Sequence, residues 1–255
     1  MRTIHLSVLC VCAIGVAGCA TCGPDAPRAG ADRAVMEAPY TAIPVRVDGK
    51  LDDPVWQNAP RYEFSLGGDE LEKGNVLEER GEARLAWDDR FLYLAVTFVD
   101  SDIVAEADED QVHHYRTGDL AELFLKPASN TWYWELYVTP HQRKTHLWFP
   151  GRGRLGVPSS DAYEMELHVA AQCDGTLNDW QDKDNRWTGE MAVPIAELTR
   201  HGDAFGPGQA WTILVARYNY SRYLGHYGPE LSMTPKLPVT AYHHLEGYAA
   251  LRLTR

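Results

Sequence analysis

The chain has 255 residues, with 36 acidic against 24 basic side chains and a formal net charge of −12 at pH 7. That balance repels phosphate backbones and anionic lipid headgroups, which excludes nucleic acid and acidic membrane surfaces as partners. A hydrophobic fraction of 45% in a chain of this length is enough to bury one sizeable core.

In chain order, Met1 and Arg2 give a short positive start and Ile4–Val16 an apolar run rich in small residues. The run is too short for a permanent membrane span, so residues 1–18 are predicted to be a signal peptide. Val16-Ala17-Gly18-Cys19 resembles the lipobox of bacterial lipoproteins, which is cut before a cysteine that is then acylated. This resemblance implies a lipidated Cys19 that anchors the protein to a bilayer of a bacterial cell envelope. Ala20, where Asp would favour inner-membrane retention, implies the outer membrane if the source is Gram-negative. Each buried CH₂ is worth ~0.8 kcal/mol, so more than one acyl chain makes a durable anchor. Residues 19–38 are rich in Ala, Gly, Pro and Asp without apolar periodicity and are expected to form a flexible tether. Residues 39–255 remain for one domain. Cys10 and Cys12 leave with the signal and the lipid takes Cys19. Only Cys22 and Cys173 remain, so the core is expected to hold without a disulfide framework.

Short β-rich runs separated by Gly, Pro, Asn and Asp dominate the domain. Strands are expected at 83–87, 91–99, 120–125, 132–138, 162–169, 187–193, 211–220 and 248–253. Asp88-Asp89-Arg90 lies between two apolar runs and reads as a hairpin turn. "AYEMELHV" alternates strictly, with Tyr163, Met165, Leu167 and Val169 facing one way and Glu164, Glu166 and His168 the other. Only "PIAELTRHG" (Pro194–Gly202) looks helical, with Pro at its start and Gly past its end. The pattern predicts an all-β antiparallel sandwich, jelly-roll-like, with one short helix. Trp56, Trp87, Trp187 and Trp211 are expected in the core, and Trp132 and Trp134 share a strand face with at least one buried.

Several signatures fail on context. "GRGRLG" (Gly151–Gly156) runs into Val157-Pro158 and lacks the helix start that would bind a pyrophosphate. There is no nucleophile elbow, no H-E-x-x-H and no C-x-x-C pair. "DSDIVAEADED" (Asp100–Asp110) has Val104 and Ala105 where an EF-hand loop needs a ligand and its glycine. Calcium held by Asp100 and Asp102 with loop carbonyls remains an expectation, beside that of a solvated acidic loop.

Two carboxylates stand inside apolar strands: Glu122 in "TGDLAELFLKP" and Glu135 in "WYWELYV". An unpaired acid in a strand interior is expensive, so both ask for a partner or a wet face. "VDGKLDDPVWQNAP" (Val47–Pro60) followed by "ARLAWDDRFLYLAVTFVD" resembles the opening of the family 9 carbohydrate-binding modules, and "GDLAELFL", "WYWELYVTP", "WTGEMAVPIAEL" and "EGYAALRL" continue the match to the C-terminus. The resemblance implies an antiparallel β-sandwich that binds glucan- or xylan-type saccharides without catalysis. It implies an aromatic clamp from Tyr115 and Tyr242, where well-understood members have Trp, and a hydrogen-bond acceptor in Glu122. Glu135 falls where a ligand-binding member carries Arg, which changes the donor pattern. Arg217 and Asn219 of "ARYNYSR" are alternative polar groups for the ligand, or simply strand-end residues.

Two other classes compete. A glycoside hydrolase would pair Glu122 with Glu135 or Asp119 as carboxyls ~5–9.5 Å apart. A haem- or metal-binding sandwich would draw on histidines such as His113-His114 and His243-His244, although neither pair has ligand spacing.

Overall fold

A computed structural model describes residues 33–151 and 160–255. Among these, twelve strands fall into two sheets: β1 Val35–Pro39, β2 Tyr62–Glu63, β3 Gly81–Trp87, β4 Phe91–Val99, β5 Leu120–Pro127, β6 Tyr133–Val138, β7 Lys144–Phe149, β8 His168–Asp174, β9 Arg186–Pro194, β10 Trp211–Asn219, β11 Glu230–Thr234 and β12 Ala249–Thr254. One sheet runs β1-β12-β10-β5-β6-β7, and β11 also pairs with β10; the other runs β2-β3-β4-β9-β8. All pairings are antiparallel except β1 with β12. The all-β sandwich expected from the sequence is the observed fold.

Strand alternation sorts the apolar residues into three layers. Leu92, Leu94, Val96 and Phe98 of β4 meet Leu123, Leu125, Ile213 and Val215 of the facing sheet in the central core. On the far side of β4, Tyr93 and Ala95 pack with Trp56 and Val45 under the 45–59 segment. On the far side of the first sheet, Phe124, Tyr133, Tyr137 and Leu214 pack with Leu237, Tyr242 and Tyr248 of the 235–248 segment. Trp56, Trp87, Trp187 and Trp211 are buried as expected, as is Trp134, whereas Trp132 is half-buried.

Three boundaries differ from the sequence reading. The expected tether runs into the fold, because Val35–Pro39 pairs in register with Ala250–Thr254; residues 1–32, with the signal segment, Cys19 and Cys22, lie outside the described residues. Residues 162–167 join no strand, although Met165 and Leu167 are buried and Glu164 and Glu166 exposed as the alternation requires; β8 starts only at His168. The helix predicted over 194–202 shrinks to α3, Ile195–Leu198, and two further short helices, α1 Pro54–Asn58 and α2 Gly68–Glu72, belong to the covering segments.

Buried acids tie the covering segments down. Glu190 of β9 accepts the N–H groups of Asp48 and Gly49 at 2.9 and 2.8 Å on one oxygen, and Trp56 Nε1–H at 2.8 Å on the other. That contact explains the D-G…W spacing at the start of the domain. Gly49 has φ +79° and its backbone lies so close to β8 that a Cβ would sit 2.6 Å from the Ala171 carbonyl carbon. Asp88 accepts Arg90 and Phe91 N–H with one oxygen and Tyr93 O–H with the other, which builds the turn of the W-D-D-x-x-L-Y hairpin.

Between the sheets lies a buried guanidinium. Arg217 of β10 donates to Asp100 Oδ2 and Val99 O, both at 2.9 Å, and to Glu79 O at 3.2 Å, with its charge 4.6 Å from the Phe98 ring centre. Burial pushes the Asp100 carboxyl up to about 7, against the pull of Arg217. Breaking a buried pair from one side leaves an uncompensated charge. Arg217→Met is therefore predicted to destabilise the fold by about 3–5 kcal/mol in urea unfolding, and Arg217→Met with Asp100→Leu to recover part of the loss. A neutral effect of the single substitution would remove Arg217 as the joint between sheets.

Candidate functional site

Register decides which side chains share the outer face of the first sheet. Glu122 pairs directly with Tyr137 and Phe124 with Glu135, so both acids and Tyr137 point outward while Leu123 and Leu125 point into the core. On the other flank Glu122 pairs with Ala216, and Tyr218 and Leu214 share that face. Ala216 fills little space beside Glu122. The face is thus apolar around a shallow gap floored by two carboxylates.

Two segments raise walls around this gap. One is the short turn His114–Arg116. It is fixed by His114, whose ring bonds Thr145 Oγ1 at 2.7 Å and Glu109 O at 3.0 Å, and by Tyr220 O–H, which donates to Tyr115 O at 2.6 Å. The other is the 240–243 stretch. Asp69 of α2 accepts Thr240 N–H and O–H at 2.8 Å each, and Tyr242 O–H donates to Arg217 O at 2.8 Å. The enclosed cavity measures about 800 Å³, within the range of small-molecule sites. Tyr115, Tyr218, Tyr242, Phe124 and Phe149 supply aromatic surface, and Glu122, Glu135 and Asp161 supply carboxyl groups. No lysine or arginine lines it among the described residues.

The acids are desolvated. Glu122 is 2% and Glu135 5% exposed. Tyr137 O–H donates to Glu135 Oε1, yet one oxygen of each acid (Oε2) is buried without a hydrogen-bond partner. His243 Nε2 lies 3.7 Å from Glu135 Oε2, and its other nitrogen bonds Tyr133 O–H at 2.9 Å. Burial first, and the Glu135 charge second, hold Glu122 well above the usual carboxylate range; burial pushes Glu135 up to about 7. Two such groups side by side share protons as a pair, and the cavity floor keeps acceptor oxygens that no donor of the chain fills.

Of the residues expected at a site, the structure brings Tyr115, Glu122, Glu135 and Tyr242 to this one cavity, and the His113 and His243 loops converge over it. The two expected clamp rings do not face each other alone. Tyr218 stands between them, 5.7 Å from each ring centre, and Tyr242 is only 7% exposed. Arg217 and Asn219 are corrected: being one residue out of phase with Ala216, they face the core, where Asn219 donates to Glu79 Oε2 at 2.8 Å. Tyr218 is the missed residue, and strand parity was its signal once the register with β5 is known. Asp100 and Asp102 are corrected as calcium ligands. The Arg217 guanidinium already holds Asp100, and Asp102 accepts Arg222 N–H at 2.8 Å. Asp119 is fully buried and accepts Val104 and Tyr220 N–H, so it does not join Glu122. Among the described residues no group of three or more His, Cys, Asp or Glu stands together to hold a metal ion.

Residues 47–204 match the model of the carbohydrate family 9 binding domain-like family. Among curated proteins none matches the chain. Among solved structures, a Bacteroides uniformis protein proposed to bind carbohydrate is similar with a TM-score of 0.63, 11% identity, and coverage of 87% of this chain and 99% of that one. A family 9 module from Caldicellulosiruptor kristjanssonii, in complex with cellotriose, is similar at a TM-score of 0.54 and 14% identity, over 86% of this chain and 93% of that one. A family 9 module from the same organism, in complex with glucose, gives 0.54 and 14% over 87% of this chain and 96% of that one. At these identities the likenesses show the fold.

The acid pair generates a pH signature. In the unfolded chain a glutamate titrates near 4.5, whereas folded Glu135 keeps its proton to about 7. Between those values the folded state binds more protons, so stability falls as pH rises through this window and the loss is complete above it. Glu122→Gln, by removing one charge of the pair, is predicted to stabilise the ligand-free protein at pH 8 by on the order of 1–3 kcal/mol and to do little at pH 4. Urea titrations at both pH values measure this, and equal effects at the two would mean that the pair is not desolvated.

Proposed function

The chain belongs to the carbohydrate family 9 binding domain-like family, and from that premise we propose that its outer cavity binds a saccharide without catalysis. The observation that carries this reading is the conjunction of an aromatic cavity lining with two buried carboxylates that each have an oxygen without a hydrogen-bond partner. A pyranose has apolar C–H faces and a belt of hydroxyl donors. Tyrosine rings cover such faces, while carboxylates accept the hydroxyls and fix orientation. In this reading Tyr115 and Tyr218 stack on the sugar, Tyr242 and Phe124 close the wall behind it, and Glu122 and Glu135 take its hydroxyl protons in hydrogen bonds. Cellotriose and glucose bound by the similar Caldicellulosiruptor modules favour a glucan- or xylan-type ligand.

The site serves a protein held at the bacterial cell envelope through an acylated Cys19, with the domain displayed beyond a short tether. The lipobox-like Val16–Cys19 supports this placement. Cys19→Ser is predicted to leave the protein unprocessed or to release it from the membrane fraction; unchanged mass and detergent partitioning would refute the anchor.

Glycan-array screening of the soluble chain, followed by calorimetry on the best ligand, tests the binding reading. Tyr115→Ala is predicted to weaken binding about 5- to 150-fold, since truncating an aromatic stacker costs on the order of 1–3 kcal/mol, and Glu122→Ala to weaken it as well by removing a hydrogen-bond partner of the sugar hydroxyls. Both variants are checked for folding by circular dichroism. Release of reducing sugar by the wild type, lost in Glu122→Gln, would mean instead that the raised carboxyls act as a hydrolase pair.

A further inference from the structure

A second cavity, about 720 Å³ in volume, adjoins the first. Leu231 of β11 and Thr240 line both, and both are half-exposed, so the partition between the cavities is a low ridge. The second cavity is walled by α2 and the stretch after it, with Leu66, Glu70, Asn75 and Val76, and by the 225–231 stretch. Glu78 braces its mouth, accepting Gly225 N–H at 2.8 Å and lying 3.2 Å from His226 Nδ1. Glu230, 2% exposed, in turn accepts Glu78 N–H at 2.7 Å and so holds that brace in place.

Resting on the saccharide reading of the first cavity, we infer that the two cavities are one cleft for a neutral oligosaccharide whose chain continues past the Leu231–Thr240 ridge. Two features of the cleft carry this. The first is continuity: two chambers of nearly equal volume joined over a half-exposed ridge accept a chain, and a single sugar would leave one chamber unused. The second is charge. The lining acids are Glu122, Glu135 and Asp161 in the first chamber and Glu70, Glu78 and Glu230 in the second, and among the described residues no lysine or arginine lines either. Lys73 pairs with Glu70 at 2.6 Å and is largely exposed, so it offsets one acid at the rim without lining the cleft. Carboxyl groups exchange hydrogen bonds with hydroxyls in either protonation state, which suits hydroxyl-rich neutral chains, and whichever of them are ionised repel uronate- or sulfate-bearing ones. Val76, 73% exposed, offers apolar surface for the C–H faces of the units in the second chamber.

The test is a chain-length series measured by calorimetry on the full soluble chain: β-1,4-linked glucose and xylose oligomers of one to six units, beside oligogalacturonates of the same lengths. Affinity is expected to rise at least about tenfold from the monomer to the longer neutral oligomers. Val76→Asp, which takes apolar surface from the second chamber at an exposed position where folding tolerates the change, is expected to remove most of that rise while leaving monomer and dimer affinity within about twofold of wild type. Neutral oligomers that bind with an affinity independent of length, or a rise undiminished in Val76→Asp, would overturn the two-chamber cleft and leave the first-chamber reading intact. Oligogalacturonates binding as tightly as the neutral series would overturn the charge selection. No binding by any oligomer, with a silent glycan array, would overturn the saccharide reading and this inference with it.

Discussion

Two carboxylates taken out of water on the outer face of one sheet, in a cavity that no lysine or arginine lines among the described residues, constrain everything built around them. Glu122 and Glu135 could sit there at low cost only with donors, and the fold gives them one tyrosine hydroxyl and a histidine edge at 3.7 Å. The remaining demand is met by a shared proton, which the raised pKa values express, or by an incoming molecule rich in hydroxyl donors. The walls follow from the same constraint. The Tyr115 turn and the 240–243 stretch exclude enough water to desolvate the acids, yet leave room for a ligand.

The opposite outer face shows what the fold does with an acid it intends to satisfy by itself. Glu190 occupies a comparable place in the second sheet, and three donors from the chain's own Asp48, Gly49 and Trp56 reach it within 2.9 Å. That glutamate is a clasp, closing the 45–59 segment over the sheet. Glu122 and Glu135 have a covering segment too, but apart from the His243 edge its polar groups turn elsewhere: Tyr242 O–H bonds the Arg217 carbonyl and Thr240 bonds Asp69. The same residue type on the two faces of one sandwich thus performs a structural task on one side and remains available on the other.

Much of this was legible in the sequence. Short β-branched and aromatic runs gave the sandwich, and the Asp88 turn and the buried tryptophans followed from local chemistry. The two strand acids were visible as anomalies because an apolar strand has no reason of its own to hold them. What failed depended on register and on contacts distant in sequence. Arg217 and Asn219 read as polar groups for the ligand or as strand-end residues, yet the pairing of Ala216 with Glu122 turns them inward and turns Tyr218 outward. Asp100 read as a loop acid because nothing near it in sequence announces a guanidinium from residue 217. Val35–Ala38 read as tether because its composition is that of a linker, and only parallel pairing with the C-terminal strand makes it part of the sheet.

The central claim is that the unpartnered oxygens of Glu122 and Glu135 receive sugar hydroxyls. A crystal structure of the protein with cellotriose tests this most directly. The account predicts density for a pyranose ring against Tyr115 and Tyr218, with hydroxyl oxygens about 2.7 Å from Glu122 and Glu135. Sugar density at another surface, with both carboxylates still unpartnered, would contradict it.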